Sequence, residues 1–176
     1  MKYKFVKFYA ETAERVAELS HARRLQVGAV IVKDDRILSY GYNGMPKGFD
    51  NNCENTVEKE EECILDVGGP PYIIKRVSWV TKPEVIHAEI NAIAKVAASG
   101  DSTKGATIFI THAPCADCAK MIIASGIEKV YYQHDYRDET GINTLKSAKI
   151  EVVKTPPLRP QYGMVVSVQE RLNGMP

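Results

Sequence analysis

Three short β-rich runs, "TIFIT" at 107–111, "KVYY" at 129–132 and "IEVV" at 150–153, are separated by stretches of helical length. Strands joined through a helix need a crossover and come out parallel, with helices covering the sheet. Ahead of them, "VGAVIV" (27–32) and "ILSYGY" (37–42) flank "KDDR", a polar loop suited to an antiparallel hairpin. An amphipathic helix precedes both: Phe5, Phe8, Tyr9, Thr12, Val16 and Leu19 recur near a 3.6-residue period. Ile90, Ile93, Ala94 and Ala97 form a second such stripe from His87 to Ser99, with Gly100 as its C-cap. "CADCAKMIIASG" reads as a third helix opening at Pro114 and ended by Gly126, and a fourth lies near Glu139 to Ser147. The order α-β-β-α-β-α-β-α-β therefore specifies an α/β fold, a three-layer α-β-α sandwich around a central five-stranded mixed sheet.

Residues 43–85 fit neither period. Gly and Pro clusters ("NGMPKG", "GGPP") and the acidic run "EKEEE" leave one short apolar stretch, so 50–85 is expected to be an irregular insertion. A single domain is expected to span 1–154, with 155–176, which carries four prolines and a possible strand at "GMVVSV", as its C-terminal extension.

The 176 residues make one domain, and 44% apolar content supplies a core without disulfide staples. No apolar run reaches the ~18 residues that span a bilayer, and the start lacks a signal-peptide h-region. The expected compartment is the cytoplasm. A net charge of +1 with interspersed signs argues against nucleic-acid or membrane partners and for small molecules. In a reducing compartment the four cysteines are free thiols or metal ligands.

Cys115 and Cys118, three apart at a helix opening, present both sulfurs to one point, and the helix dipole favours their thiolates. The same pair also fits a redox dithiol or two unrelated buried thiols. A closed structural zinc site requires a second close pair, and Cys53 and Cys63, with nine residues between them, supply none. His87, at another helix opening, is the better third ligand, leaving one position for water. Water on such a zinc has its pKa lowered to roughly 7 and needs a proton carrier beside it. Glu89 suits that role, although a first-turn carboxylate also serves the helix dipole. Together "HAE" and "PCADC" match H-x-E with P-C-x-x-C, the signature of zinc-dependent deaminases.

Beyond that signature, "QVGAVIV", "GYNGMPKG", "IHAEINAI" and "FITHAPCADCAKMIIASGIEKVYY" resemble the deoxycytidylate (dCMP) deaminases, phage members included, from about Arg23 to Tyr136. The resemblance implies a cytidine deaminase-like fold and a catalytic Zn²⁺ on His87, Cys115 and Cys118. It implies hydrolysis of dCMP to dUMP and ammonia with Glu89 as proton carrier, supplying thymidylate synthesis. It also implies a homo-oligomer, a hexamer, activated by dCTP and inhibited by dTTP with Mg²⁺. By position in the matching motifs, Asn43 contacts the deoxyribose 3′-hydroxyl, Tyr136 stacks on the pyrimidine, and the backbone at Ala88 and Ala113 frames the ring. Arg24 and Arg137 suit the monophosphate, whose oxygens match a guanidinium fork. Gly44 and Lys47 border a regulatory nucleotide site. A second, structural zinc on His21, Cys53 and Cys63 finds no supporting pattern, and reduced thiols are expected there. The rivals are a deaminase of cytidine, dCTP, guanine or tRNA adenosine, and a noncatalytic zinc-stabilised binding module; the latter requires a fourth protein ligand.

Overall fold

The computed structural model describes residues 1–63 and 72–156. Its five-stranded sheet is built from β1 (Gly28–Lys33), β2 (Arg36–Tyr42), β5 (Thr107–His112), β6 (Lys129–His134) and β7 (Glu151–Lys154) in the order β2-β1-β5-β6-β7. β1 pairs antiparallel with β2 and with β5, while β5, β6 and β7 run parallel, so the sheet is mixed as expected. Helices α1 (Tyr3–Ala17), α2 (Ala88–Ser99), α3 (Ala116–Ala124) and α4 (Thr140–Ser147) complete the sandwich.

β1 shows why the sheet has two covered faces. Its residues alternate sides, and Ala29 through Val32 are all buried. Val30 and Val32 join Phe109, Tyr131 and the α1 residues Tyr9, Ala10, Ala13 and Val16 in one cluster. Ala29 and Ile31 join Ile108, Ile110 and Val130 against Ala92 and Val96 of α2, Ala119 and Ile122 of α3, and Leu145 of α4. Each such valine or isoleucine contributes about 1.5–3 kcal/mol by leaving water, so these two clusters carry the fold.

Both amphipathic stripes shift in phase from their sequence reading. In α1 the buried positions are Val6, Tyr9, Ala10, Ala13, Val16 and Ala17, while Phe8 and Leu19 are exposed. In α2 they are Ala88, Glu89, Ala92, Ile93 and Val96; Ala94 and Ala97 face outward. Small residues sit inside because the backbones approach closely. A methyl group on Gly41 of β2 would collide with Ala88 Oand Ala92 N of α2, and that contact fixes where α2 begins.

Residues 54–81 correct the expected irregular insertion. They contain β3 (Glu54–Cys63) and β4 (Tyr72–Thr81), an antiparallel pair in register from Glu54↔Thr81 to Cys63↔Tyr72. A backbone ladder holds this pair rather than burial: Val57, Val77, Trp79 and Val80 are exposed, and Lys75 pairs with Glu60 at 3.5 Å. Without a buried face, β3 shows no apolar alternation, and its acidic run imitates a loop. The possible strand at 163–168 and most of the C-terminal extension lie outside the described residues.

Candidate active site

The peptide leaving β5 turns at Ala113 and Pro114 and enters α3 with Cys115 as its N-cap; the helix begins at Ala116, two residues after the expected start, so Cys118 lies in the first turn. The peptide entering α2 has His87 as its N-cap. Ile86, just before it, is held in a two-way backbone bridge with Gly44 (3.1 and 2.9 Å), and Asn91 Nδ2 donates to Tyr42 O at 2.8 Å. Ala113 N donates to His134 O at 2.8 Å. The opening of α3 also supports α4, since a methyl group on Gly141 would meet the carbonyl oxygens of Pro114 and Cys115.

Neither N-cap side chain caps its own helix. Instead they converge: His87 Nδ1 lies 3.6 Å from Cys115 Sγ and 3.3 Å from Cys118 Sγ, with all three ligand atoms within 4.8 Å of one another. A tetrahedral zinc with bonds of about 2.3 Å to sulfur and 2.0–2.1 Å to nitrogen separates its S and N ligands by roughly 3.5 Å. The donor set and its spacing therefore fit zinc. Among the described residues this group has three members, the pattern of a catalytic rather than a closed structural centre. Hydrogen bonds from Cys118 and His87 hold the Cys115 thiol down to about 4, so a thiolate is ready for the metal. The shared hydrogen bond and burial push Cys118 the opposite way. The hydrogen bond to Cys115 raises the His87 imidazole above its ordinary value.

Glu89, 4% exposed in the first turn of α2, lies beside the group. Burial raises its carboxyl above the usual range, with opposing hydrogen bonds from its own backbone N–H and from Cys118. A carboxyl shifted in this direction holds a proton more readily than an exposed one, as a group that must accept and return protons requires.

The chain from residue 4 to 134 matches the cytidine and deoxycytidylate deaminase zinc-binding region. This protein belongs to that family. Deoxycytidylate deaminase of Enterobacteria phage T4 is 36% identical over 169 residues, 83% of this chain and 87% of the relative. The Mus musculus deoxycytidylate deaminase is 30% identical over 178 residues, 96% of this chain and 88% of the relative. The dCMP deaminase of cyanophage S-TIM5, solved in complex with dCMP and dUMP, superposes with a TM-score of 0.72 at 39% identity, covering 88% of this chain and 99% of that one. In a chain of this zinc-binding family, His87, Cys115 and Cys118 form the group that could hold the metal.

The deaminase cleft, about 840 Å³, is lined by the metal group and Glu89 together with Arg24, Asn43, Ala88, Ala113, Tyr136 and Arg137. Arg24 Nη1 donates to Thr81 Oγ1 at 3.0 Å, and the Arg137 guanidinium lies 5.2 Å from the Tyr136 ring centre. Asn43 is engaged with backbone at both ends of its amide: Oδ1 accepts from Val27 N at 2.8 Å, and Nδ2 donates to Leu25 O at 2.9 Å. Gly44 and Lys47 do not line the cleft; Gly44 is paired with Ile86, and Lys47 is exposed. Cys53 is buried with its thiol donating to Asn51 O, and the Cys63 side chain lies outside the described residues.

Sequence reasoning missed Glu54, Thr81, His112 and Thr140, which also line the cleft. Glu54 opens an acidic strand that reads as solvated loop, and no local pattern distinguishes it from its neighbours. His112 ends β5 three residues before Cys115, stacked near His134 at 4.9 Å between ring centres.

Proposed function

We propose that this protein converts dCMP to dUMP and ammonia by hydrolysis. The observation that carries the reading is the three-ligand zinc group with buried Glu89 beside it, in one cleft with two arginines. Its relatives named deoxycytidylate deaminase, and the neighbour solved with dCMP and dUMP, support the substrate.

When bound, zinc supplies a Lewis acid that activates a water for attack at C4 of the pyrimidine. Glu89 would take one proton from that water and deliver it to the ring nitrogen, then take the second from the new C4 hydroxyl and hand it to the amine as the C4–N bond breaks, so that one water enters and one ammonia leaves. The backbone at Ala88 and Ala113 frames the ring, Tyr136 stacks on it, and Arg24 and Arg137 hold the monophosphate. Asn43 borders the deoxyribose. Residues 1–154 form the catalytic domain, with 155–176 as its extension. The active species is a hexamer in the cytoplasm, activated by dCTP and inhibited by dTTP with Mg²⁺ at a site bordered by Gly44 and Lys47. No helix among the described residues is long and apolar enough to cross a membrane.

A panel of dCMP, dCTP, cytidine, cytosine and adenosine-containing tRNA, assayed for ammonia release with and without dCTP as activator, tests the reading. Turnover of dCMP above the others is expected; no turnover of dCMP under activator overturns it.

A further inference from the structure

Glu54 is the first residue of β3 and is 1% exposed. Its Oε1 is fully occupied, accepting the backbone N–H of Arg23 at 2.9 Å and of Arg24 at 3.2 Å. Its Oε2 is buried and has no hydrogen-bond partner among the described residues, although Glu54 lines the cleft. A buried carboxylate oxygen left without a donor opposes folding, and on a residue that lines a binding cleft it calls for a ligand donor. The one other side-chain atom in this condition among the described residues, Gln133 Oε1, belongs to a residue outside the cleft lining.

The chemistry of the nucleotide decides which donor. An ionised monophosphate offers acceptors alone, and a carboxylate repels it. That leaves dCMP two kinds of donor: the exocyclic amine and the 3′-hydroxyl of the sugar. The amine is the group that leaves, beside Glu89 and the metal ligands. The hydroxyl belongs to the segment of the molecule between the base and the phosphate. Glu54 is tied through the main chain to Arg24, the residue assigned to the phosphate.

We infer that Glu54 Oε2 accepts the hydrogen bond of the deoxyribose 3′-hydroxyl, so that Glu54 is a specificity-determining residue; this rests on the dCMP reading above. Asn43, whose amide is committed to Leu25 and Val27, then acts as a positioning residue for the same wall. The two residues divide the work: Asn43 shapes residues 25–27, and Glu54 both holds residues 23 and 24 and reads the sugar.

The test compares kcat/KM for dCMP and 2′,3′-dideoxycytidine monophosphate, which lacks the hydroxyl. The zinc-loaded wild type is expected to prefer dCMP by about tenfold or more, as fits a charge-assisted hydrogen bond. Glu54→Ala should bring the two substrates within about threefold of each other, chiefly by lowering the value for dCMP. Should the alanine variant fold poorly, Glu54→Gln, which retains an acceptor for Arg23 and Arg24, is expected to reduce the preference in part. A wild type that treats both nucleotides alike overturns the assignment without any variant. So does a substitution that lowers both substrates equally, since a residue that merely anchors Arg24 would do that. A wild type inert on dCMP overturns the substrate reading itself, which distinguishes the two failures.

Discussion

His87, Cys115 and Cys118 stand at two helix openings clamped to a sheet whose strand β1 is buried from Gly28 to Val32, whereas Arg24, Tyr136 and Arg137 stand on loops and against the base of an exposed hairpin. In the first region, position follows from packing: Gly41 lets α2 rest directly on β2, and the Gly44–Ile86 bridge pins the residue before His87. In the second, Arg24 is held by its backbone N–H on Glu54 and its guanidinium on Thr81, and Arg137 lies over the Tyr136 ring. The contrast separates two tasks. On the proposed reading, chemistry that tolerates little displacement is built into the core, while recognition of the nucleotide falls to segments that can change without disturbing it.

Substitutions on the two sides should behave differently. Cys118→Ser strikes hardest: it removes a buried ligand, so zinc measured by elemental analysis should fall well below the expected one ion per chain, and turnover should vanish. Full zinc occupancy in that variant would remove Cys118 from the ligand set. Glu89→Ala should keep the zinc and lose activity by at least the ~10²–10⁴ that general acid–base help supplies; surviving activity would remove Glu89 as proton carrier. Arg24→Ala should retain zinc and lower kcat/KM for dCMP about ten- to a hundredfold, the weight of a hydrogen bond to a charged group, with a smaller effect on deoxycytidine. An equal loss on both would place Arg24 outside the phosphate site and blur the division between regions.

The smallest effect concerns stability. Burial, and then the neighbouring His134, lowers His112 from 6.5 to about 4. The unfolded chain therefore binds this proton first as pH falls, and stability is complete above about 6.5 and lost progressively down to about 4. The loss is at most a few kcal/mol. Urea unfolding of the zinc-loaded protein at pH 7 and pH 5 should show it, and His112→Gln should flatten the difference; an unchanged slope would mean that another group is responsible.

The order of the elements in the central sheet was legible because strands buried on both faces and helices packed against them impose strong apolar patterns. "GAVIV" and "TIFIT" carry that pattern, and Ala29 through Val32 and Ile108 through Ile110 are buried accordingly. The metal ligands were legible because coordination restricts residue type and spacing together. The phase of α2 was not, because Ala88, Glu89 and Ala92 share its inner face with Ile93 and Val96, and hydrophobicity ranks those three below Ile90. The β3–β4 hairpin was hidden because backbone pairing leaves no apolar signature. Glu54 was hidden for a related reason: its importance lies in what its carboxylate lacks, and an unpartnered oxygen has no counterpart in a string of letters.

The contact of Gly141 with Pro114 and Cys115 bears on where this catalytic unit ends. The family match stops at residue 134, yet the floor under the α3 opening is supplied by a helix that begins at Thr140. A fragment cut at the limit of sequence similarity would keep all three ligands and the proton carrier, and lose the surface on which two of those ligands rest.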